Sequence, residues 1–162
     1  MSDLQKILAD LNACPEAAEW VGDKDAGEAW TTCERGDWML WLATEVNIDR
    51  KLIVLAACDC AEPALKYATS DAPRIAIETA RAWCRDEATI EQVKDAASAA
   101  AYAAAYAAYS KASHNAAVHA AHAVYAAYDY ASVHARAESL KHSADLVRQR
   151  IPFEVIEDRL KR

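Results

Sequence analysis

The segment TTCERGDWMLWLA, residues 31–43, reads as the end of one helix, a turn, and the start of the next. Gly36 is expected to stop the first helix in a left-handed turn, and Asp37 to cap the second, about 38–46. Glu34 and Arg35 are expected in local ion pairs. Trp38, Trp41 and Leu42 then define one apolar face.

Working outward, the same helix punctuation recurs on both sides. Ser2 with Gln5 forms a capping box for a helix over about 3–12. Pro15 suits the first position of a short helix that Gly22 ends, and Asp25 caps another over about 26–33. Asp49 caps a helix through about 61, near Pro63, and Asp71 with Pro73 opens one over about 72–86. Thr89 with Gln92 is a second capping box, opening a helical run to about Lys111. SKASHN, residues 110–115, is its weakest point and reads as a turn or kink; the helix then resumes to Arg150, and Pro152 starts a last short turn or helix. The expectation is an all-α single domain of six to eight helices, with a long Ala/Tyr-rich C-terminal helical hairpin. Residues 1–88 supply short helices with Trp and charged clusters, 89–151 the long Ala-rich helices, and 152–162 the terminal turn or short helix. No repeat of fixed period is present, which argues against a solenoid.

Composition agrees. The 162 residues suit one domain with its own core, and 54% apolar against 27% charged residues is a globular balance. With 3 Gly and 4 Pro there is little loop, and alanine is abundant where β-branched residues are sparse. The net charge of −7 argues against nucleic acid as a partner. Residues 1–49 hold eleven acids against three bases, a charge of −8, whereas 96–162 hold eight bases against six acids. Such an acidic third either meets a basic partner or simply keeps the surface solvated. Five cysteines, an odd number, and a start, MSDLQKIL, unlike a signal peptide fit reduced, mostly buried thiols in the cytoplasm. Cys58 and Cys60 lack the second pair a zinc site needs, and no apolar run approaches a membrane span.

Residues 100–135, mostly alanine set with tyrosine and histidine, continue the helical spacing. Ala116, His119, Ala123, Ala126, Tyr130, Val133, Ala137, Leu140, Ala144, Val147 and Ile151 form one apolar stripe in steps of three and four. Its small residues favour a close helix–helix seam. Tyr102, Tyr106 and Tyr109 form a second stripe on the preceding helix. They read either as a second core layer or as a tyrosine face that binds a protein. His119 and His122 stand at a permitted metal spacing, but no third ligand is evident, so no metal or other cofactor is expected.

Asp59 interrupts the apolar run RKLIVLAACDCAEP, residues 50–63, and must find a partner. Arg74 and Arg81 on the next helix are the natural candidates, and Arg74, Glu78 and Arg81 share one face of it. A buried salt-bridge network joining the two helices is expected; the alternative is that Glu34, Asp37, Asp59 and Glu78 converge on a pocket. No phosphate loop, nucleophile elbow or zinc-protease motif is present, and a non-enzymatic protein is expected.

CERGDWMLWLA (33–43), RKLIVLAACDCA (50–61), PRIAIETARAW (73–83) and RDEAT (85–89), followed by an alanine- and tyrosine-rich tail, resemble the immunity-protein-five-like family of bacterial and phage proteins over about residues 28–95. The resemblance implies an intracellular helical protein that neutralises a toxin by binding it. It marks Glu34, Arg35, Asp37, Trp38, Trp41, Asp59, Arg74 and Glu78 as family-pattern positions. The leading expectation is therefore an inhibitor of a toxin or of a defence or counter-defence factor, acting through its acidic third and its tyrosine face. Swapping Glu16, Glu19, Asp23 and Glu28 for Lys is then expected to slow association at low salt. Two alternatives stand beside it: a small-ligand or nucleotide-binding bundle with a pocket lined by Trp38, Trp41, Arg74 and Tyr side chains, and a structural homodimer that buries the second apolar face.

Overall fold

The computed structural model describes residues 2–68, 70–100, 138 and 140–161. The tyrosine face of Tyr102, Tyr106 and Tyr109, the expected turn at 110–115, and His114, His119, His122 and His134 lie outside the described residues. The chain is all-α. Nine α-helical stretches and one 3-10 helix occur among the described residues, close to the six to eight helices expected, and no strand occurs among them. They are α1 (Asp3–Asp10), α2 (Pro15–Val21), α3 (Ala26–Thr32), α4 (Gly36–Glu45), α5 (Arg50–Ala61), the 3-10 helix Glu62–Tyr67, α6 (Ala72–Cys84), α7 (90–100), α8 (140–150) and α9 (Phe153–Leu160).

Local chemistry sets most helix starts. At α1, Gln5 N–H donates to Ser2 Oγ (3.3 Å) while Ser2 N–H donates to Gln5 Oε1 (3.2 Å), a complete capping box. Thr89 and Gln92 repeat it at α7, at 2.7 and 3.2 Å. Asp25 accepts from Glu28 N–H at 2.8 Å, and Asp49 from Lys51 N–H at 2.8 Å. Pro15 opens α2, and Gly22 ends it at φ +52°, ψ −127°, a conformation that side chains rarely adopt. Helices α1, α4 and α6 end differently. Asn12, Asn47 and Asp86 turn left-handed at φ 56°, 56° and 61°. The next amides then reach back to Leu8, Ala43 and Ala82 carbonyls, each at 2.9 Å. Each is a Schellman ending in which Asn or Asp stands where Gly is usual.

One local reading is corrected. Gly36 is not a left-handed stop and Asp37 is not the cap: α4 begins at Gly36, after Arg35 as N-cap, and the side chain of Asp37 turns back to Arg35. Gly36 is required for packing. A Cβ there would lie 2.6 Å from Ser143 Cβ, 2.7 Å from Ser143 C and 2.8 Å from Ala144 N, so α8 backbone occupies the space of a side chain.

The described chain divides into two compact units. Unit 1 comprises residues 1–60 and 140–162, hence α1–α5, α8 and α9. Its larger core joins Trp30, Cys33, Met39, Ala43, Ile48 and Ala56 to Ala144, Val147, Ile151 and Ile156. The stripe read from the sequence is borne out in this stretch: Ala144, Val147 and Ile151 are each 0% exposed. A smaller cluster of Leu4, Leu8, Val21 and Ala29 fastens α1 to α2 and α3. Arg148 ties α8 to the end of α3. Its guanidinium donates to the Trp30 and Cys33 carbonyls at 2.9 and 2.8 Å, satisfying acceptors that a helix C-terminus leaves open. Unit 2 comprises residues 61–139, and its described elements are the 3-10 helix, α6 and α7. None of its described residues is buried, and Ile75 and Ile90 are 47% and 41% exposed.

Candidate binding groove

The charged residues singled out in the sequence fall into separate pairs. Arg35 grips Asp37 with two hydrogen bonds, at 2.9 and 2.7 Å, and stacks over the Trp38 ring at 4.2 Å. The hydrogen bond from Arg35 holds the Asp37 carboxyl below its ordinary pKa, and Asp37 in turn raises that of Arg35. Glu34 pairs with Lys141 at 2.7 Å. Asp59, whose side chain is 15% exposed, pairs with Arg150 of α8 at 2.5 Å. That partner was not among the expected ones. Arg74 instead bonds Glu78 (2.8 Å) and Asp71 (3.3 Å) along its own helix, and Arg81 bonds Glu62 at 2.8 Å. The Arg74–Glu78 pair is solvent-exposed, so the buried network expected around it is replaced by a surface pair.

The tryptophans do converge. Trp20 and Trp38 meet at 6.1 Å with a 59° tilt, and Lys24 Nζ lies 4.5 Å over Trp20 while donating to the Trp20 carbonyl at 2.6 Å. Each ring thus carries a cation of the chain itself. Trp20, Trp30, Trp38 and Trp41 line an apolar cavity of about 50 Å³ inside unit 1. Trp30 Nε1 is buried and has no hydrogen-bond partner among the described residues.

A larger feature was not read from the sequence. Helix α9 lies against α3, with Phe153 over Gly27, where an added Cβ would meet the ring at 3.3 Å. Ser2 Oγ donates to the Gly22 carbonyl at 3.3 Å and anchors the start of α1 beside the turn before α3. Between α1, that turn and α9 opens a groove of about 530 Å³. Leu4, Ile7, Phe153 and Leu160 are its apolar surface; Asp3, Asp23, Asp25 and Glu157 are its carboxylates, against the single ammonium of Lys161. Leu4, Ala26 and Leu160 line both this groove and the tryptophan cavity. The clue in the sequence was the cluster Asp23 and Asp25 beside Gly22; α9, from the far end of the chain, carried none.

The thiols divide by burial. Cys33 and Cys58 are buried, Cys60 and Cys84 half-buried, and Cys14 exposed, against the expectation of mostly buried thiols. Burial pushes the Cys33 and Cys60 thiols up. Among the described residues no group of three His, Cys, Asp or Glu side chains could hold a metal ion, and no helix is long and apolar enough to cross a membrane. No family model matches the chain, and neither a curated protein nor a solved structure matches it.

Proposed function

We propose that the chain is a non-enzymatic, cytoplasmic binding protein that inhibits a basic protein partner, a toxin or a defence or counter-defence factor, through the acidic side of unit 1. One observation carries the reading. All eleven carboxylates of residues 1–49 are exposed. Asp10, Glu16, Glu19, Asp23, Glu28 and Glu45 have no ion pair among the described residues. Uncompensated surface charge of one sign costs repulsion in the free protein, and a partner of opposite sign relieves it while gaining association rate. The resemblance of residues 28–95 to immunity proteins points to the same class.

The test is a pull-down from host lysate with the wild type and with a Glu16→Lys, Glu19→Lys, Asp23→Lys, Glu28→Lys variant, both checked for helicity by circular dichroism. A basic protein held by the wild type and lost by the folded variant is expected. Equal capture by both removes the acidic side from the interface. The nucleotide-binding alternative has Trp38 and Trp41 lining one cavity in its favour. At about 50 Å³ that cavity is small beside the roughly 150 Å³ that holds benzene. Exposed Ile75 and Ile90 are the features a homodimer would use.

A further inference from the structure

Resting on that reading, we propose that the groove between α1, the 22–25 turn and α9 is the seat of a basic amphipathic segment of the partner. The segment would set aliphatic side chains on the apolar surface and Lys or Arg against the carboxylates. Three observations select this occupant. The groove's volume of about 530 Å³ lies in the range of formed binding clefts, roughly 300–1,000 Å³. Its apolar surface comes from helices held by independent contacts, Phe153 on Gly27 and Ser2 on Gly22, so it is formed before anything binds. Its charge is one-sided: four carboxylates stand against Lys161, whose ammonium is already 2.6 Å from Glu157.

The carboxylates differ in what they have left to offer. Asp3 is shared with Lys6 at 2.9 Å, Asp25 spends one oxygen on the cap of α3, and Asp23 has no ion pair among the described residues. A cation therefore docks first at Asp23, with Asp3 and Asp25 able to turn a lone pair toward it. An anionic segment would meet the same carboxylates unscreened, and a polar one would leave the apolar surface wet. A cationic side chain flanked by aliphatic ones satisfies both parts of the groove, as an amphipathic helix does in an apolar groove.

The test uses the full chain and a short fluorescently labelled peptide of lysine and leucine at helical spacing, read by anisotropy at low salt. Two variants of equal charge change are compared. One is Asp3→Lys with Asp23→Lys, in the groove. The other is Glu16→Lys with Glu19→Lys, on α2 and outside the groove's lining. Both are checked for helicity. The groove pair is expected to weaken binding about tenfold and the α2 pair less than about twofold. Replacing the peptide leucines by serine is expected to cost more than about tenfold. Equal loss from the two charge reversals, equal binding of the serine peptide, or no saturable binding by the wild type each overturns the groove. Repeating the lysate pull-down with the groove pair separates the two claims. A partner lost with the four-residue variant but kept by the groove pair leaves the acidic-side reading intact and removes the groove.

Discussion

The two units carry similar helices and bury them very differently. Every buried residue among those described lies in unit 1, whereas α6 of unit 2, with its own apolar positions, buries none. Helix α8 and helix α6 both show apolar residues at three- and four-residue steps. On α8 they are Ala144 and Val147, and the stripe continues to Ile151 just beyond its end; all three are 0% exposed. On α6 the apolar steps run through Ala76, Ala80 and Trp83, all only half-buried, and Ile75, with Glu78 and Thr79 three and four residues on, is 47% exposed. Amphipathic spacing makes a helix able to be buried. What closes over it decides whether it is, and that difference sets the size of the expected mutational effects.

The largest contrast is between two isoleucines. Ile151→Ala is expected to destabilise unit 1 by about 2–5 kcal/mol, because its side chain leaves a sealed cavity. Ile75→Ala is expected to cost under about 1 kcal/mol, since about half of that residue already meets water. Urea unfolding followed by tryptophan fluorescence, with Trp83 of α6 replaced by Phe, reads unit 1, which holds Trp20, Trp30, Trp38 and Trp41, and far-ultraviolet circular dichroism reads both units. Equal losses from the two substitutions would break the comparison.

Arg148→Met is expected to cost about 2–3 kcal/mol. The aliphatic stem survives, but the Trp30 and Cys33 carbonyls lose a charged donor. A change below 0.5 kcal/mol, on the order of a surface substitution, would mean that water replaces the guanidinium there. Gly36→Ala is expected to cost about 1–3 kcal/mol by overpacking, and Ser143→Ala is not expected to rescue it, because Ser143 C and Ala144 N also lie within 2.8 Å of the added Cβ. Recovery in that double variant would show that only side chains are crowded.

The smallest effects follow pH, and they sharpen the account of unit 1. The Asp37 pKa is lowered on folding, so its contribution is present above the unfolded value near 4 and is lost as pH falls through the folded one. At 46% exposure of its side chain the pair is worth under about 1 kcal/mol, and Asp37→Asn is expected to flatten this acid limb. Cys33 and Cys60 are raised, so the stability they give is full below the unfolded thiol value near 8.5 and declines as pH climbs past it. Stability measured from pH 3 to 10, about the span of these groups, checks both limbs. An acid limb that Asp37→Asn leaves unchanged assigns that limb to other carboxylates.

The capping boxes at Ser2 and Thr89, the caps at Asp25 and Asp49, the start of α2 at Pro15 and its end at Gly22, and the buried stripe through Ala144, Val147 and Ile151 were legible from the sequence alone. Each depends on groups within a few residues of one another, or on a helical period, so local spacing determines it. The Schellman endings at Asn12 and Asn47 were equally local and went unread, although each is followed by an apolar residue, Ala13 and Ile48. The pairing of Asp59 with Arg150, the bond from Arg148 to the end of α3, the clash that reserves position 36 for glycine, and the groove between α1 and α9 belong to the tertiary structure. Each joins segments about 90 or more residues apart, and no helical period or cap encodes which distant helix will arrive. Sequence set the helices and their apolar faces because backbone hydrogen bonding and side-chain spacing are short-ranged. Packing chose the partners, because which charges and surfaces meet depends on how those faces close against one another.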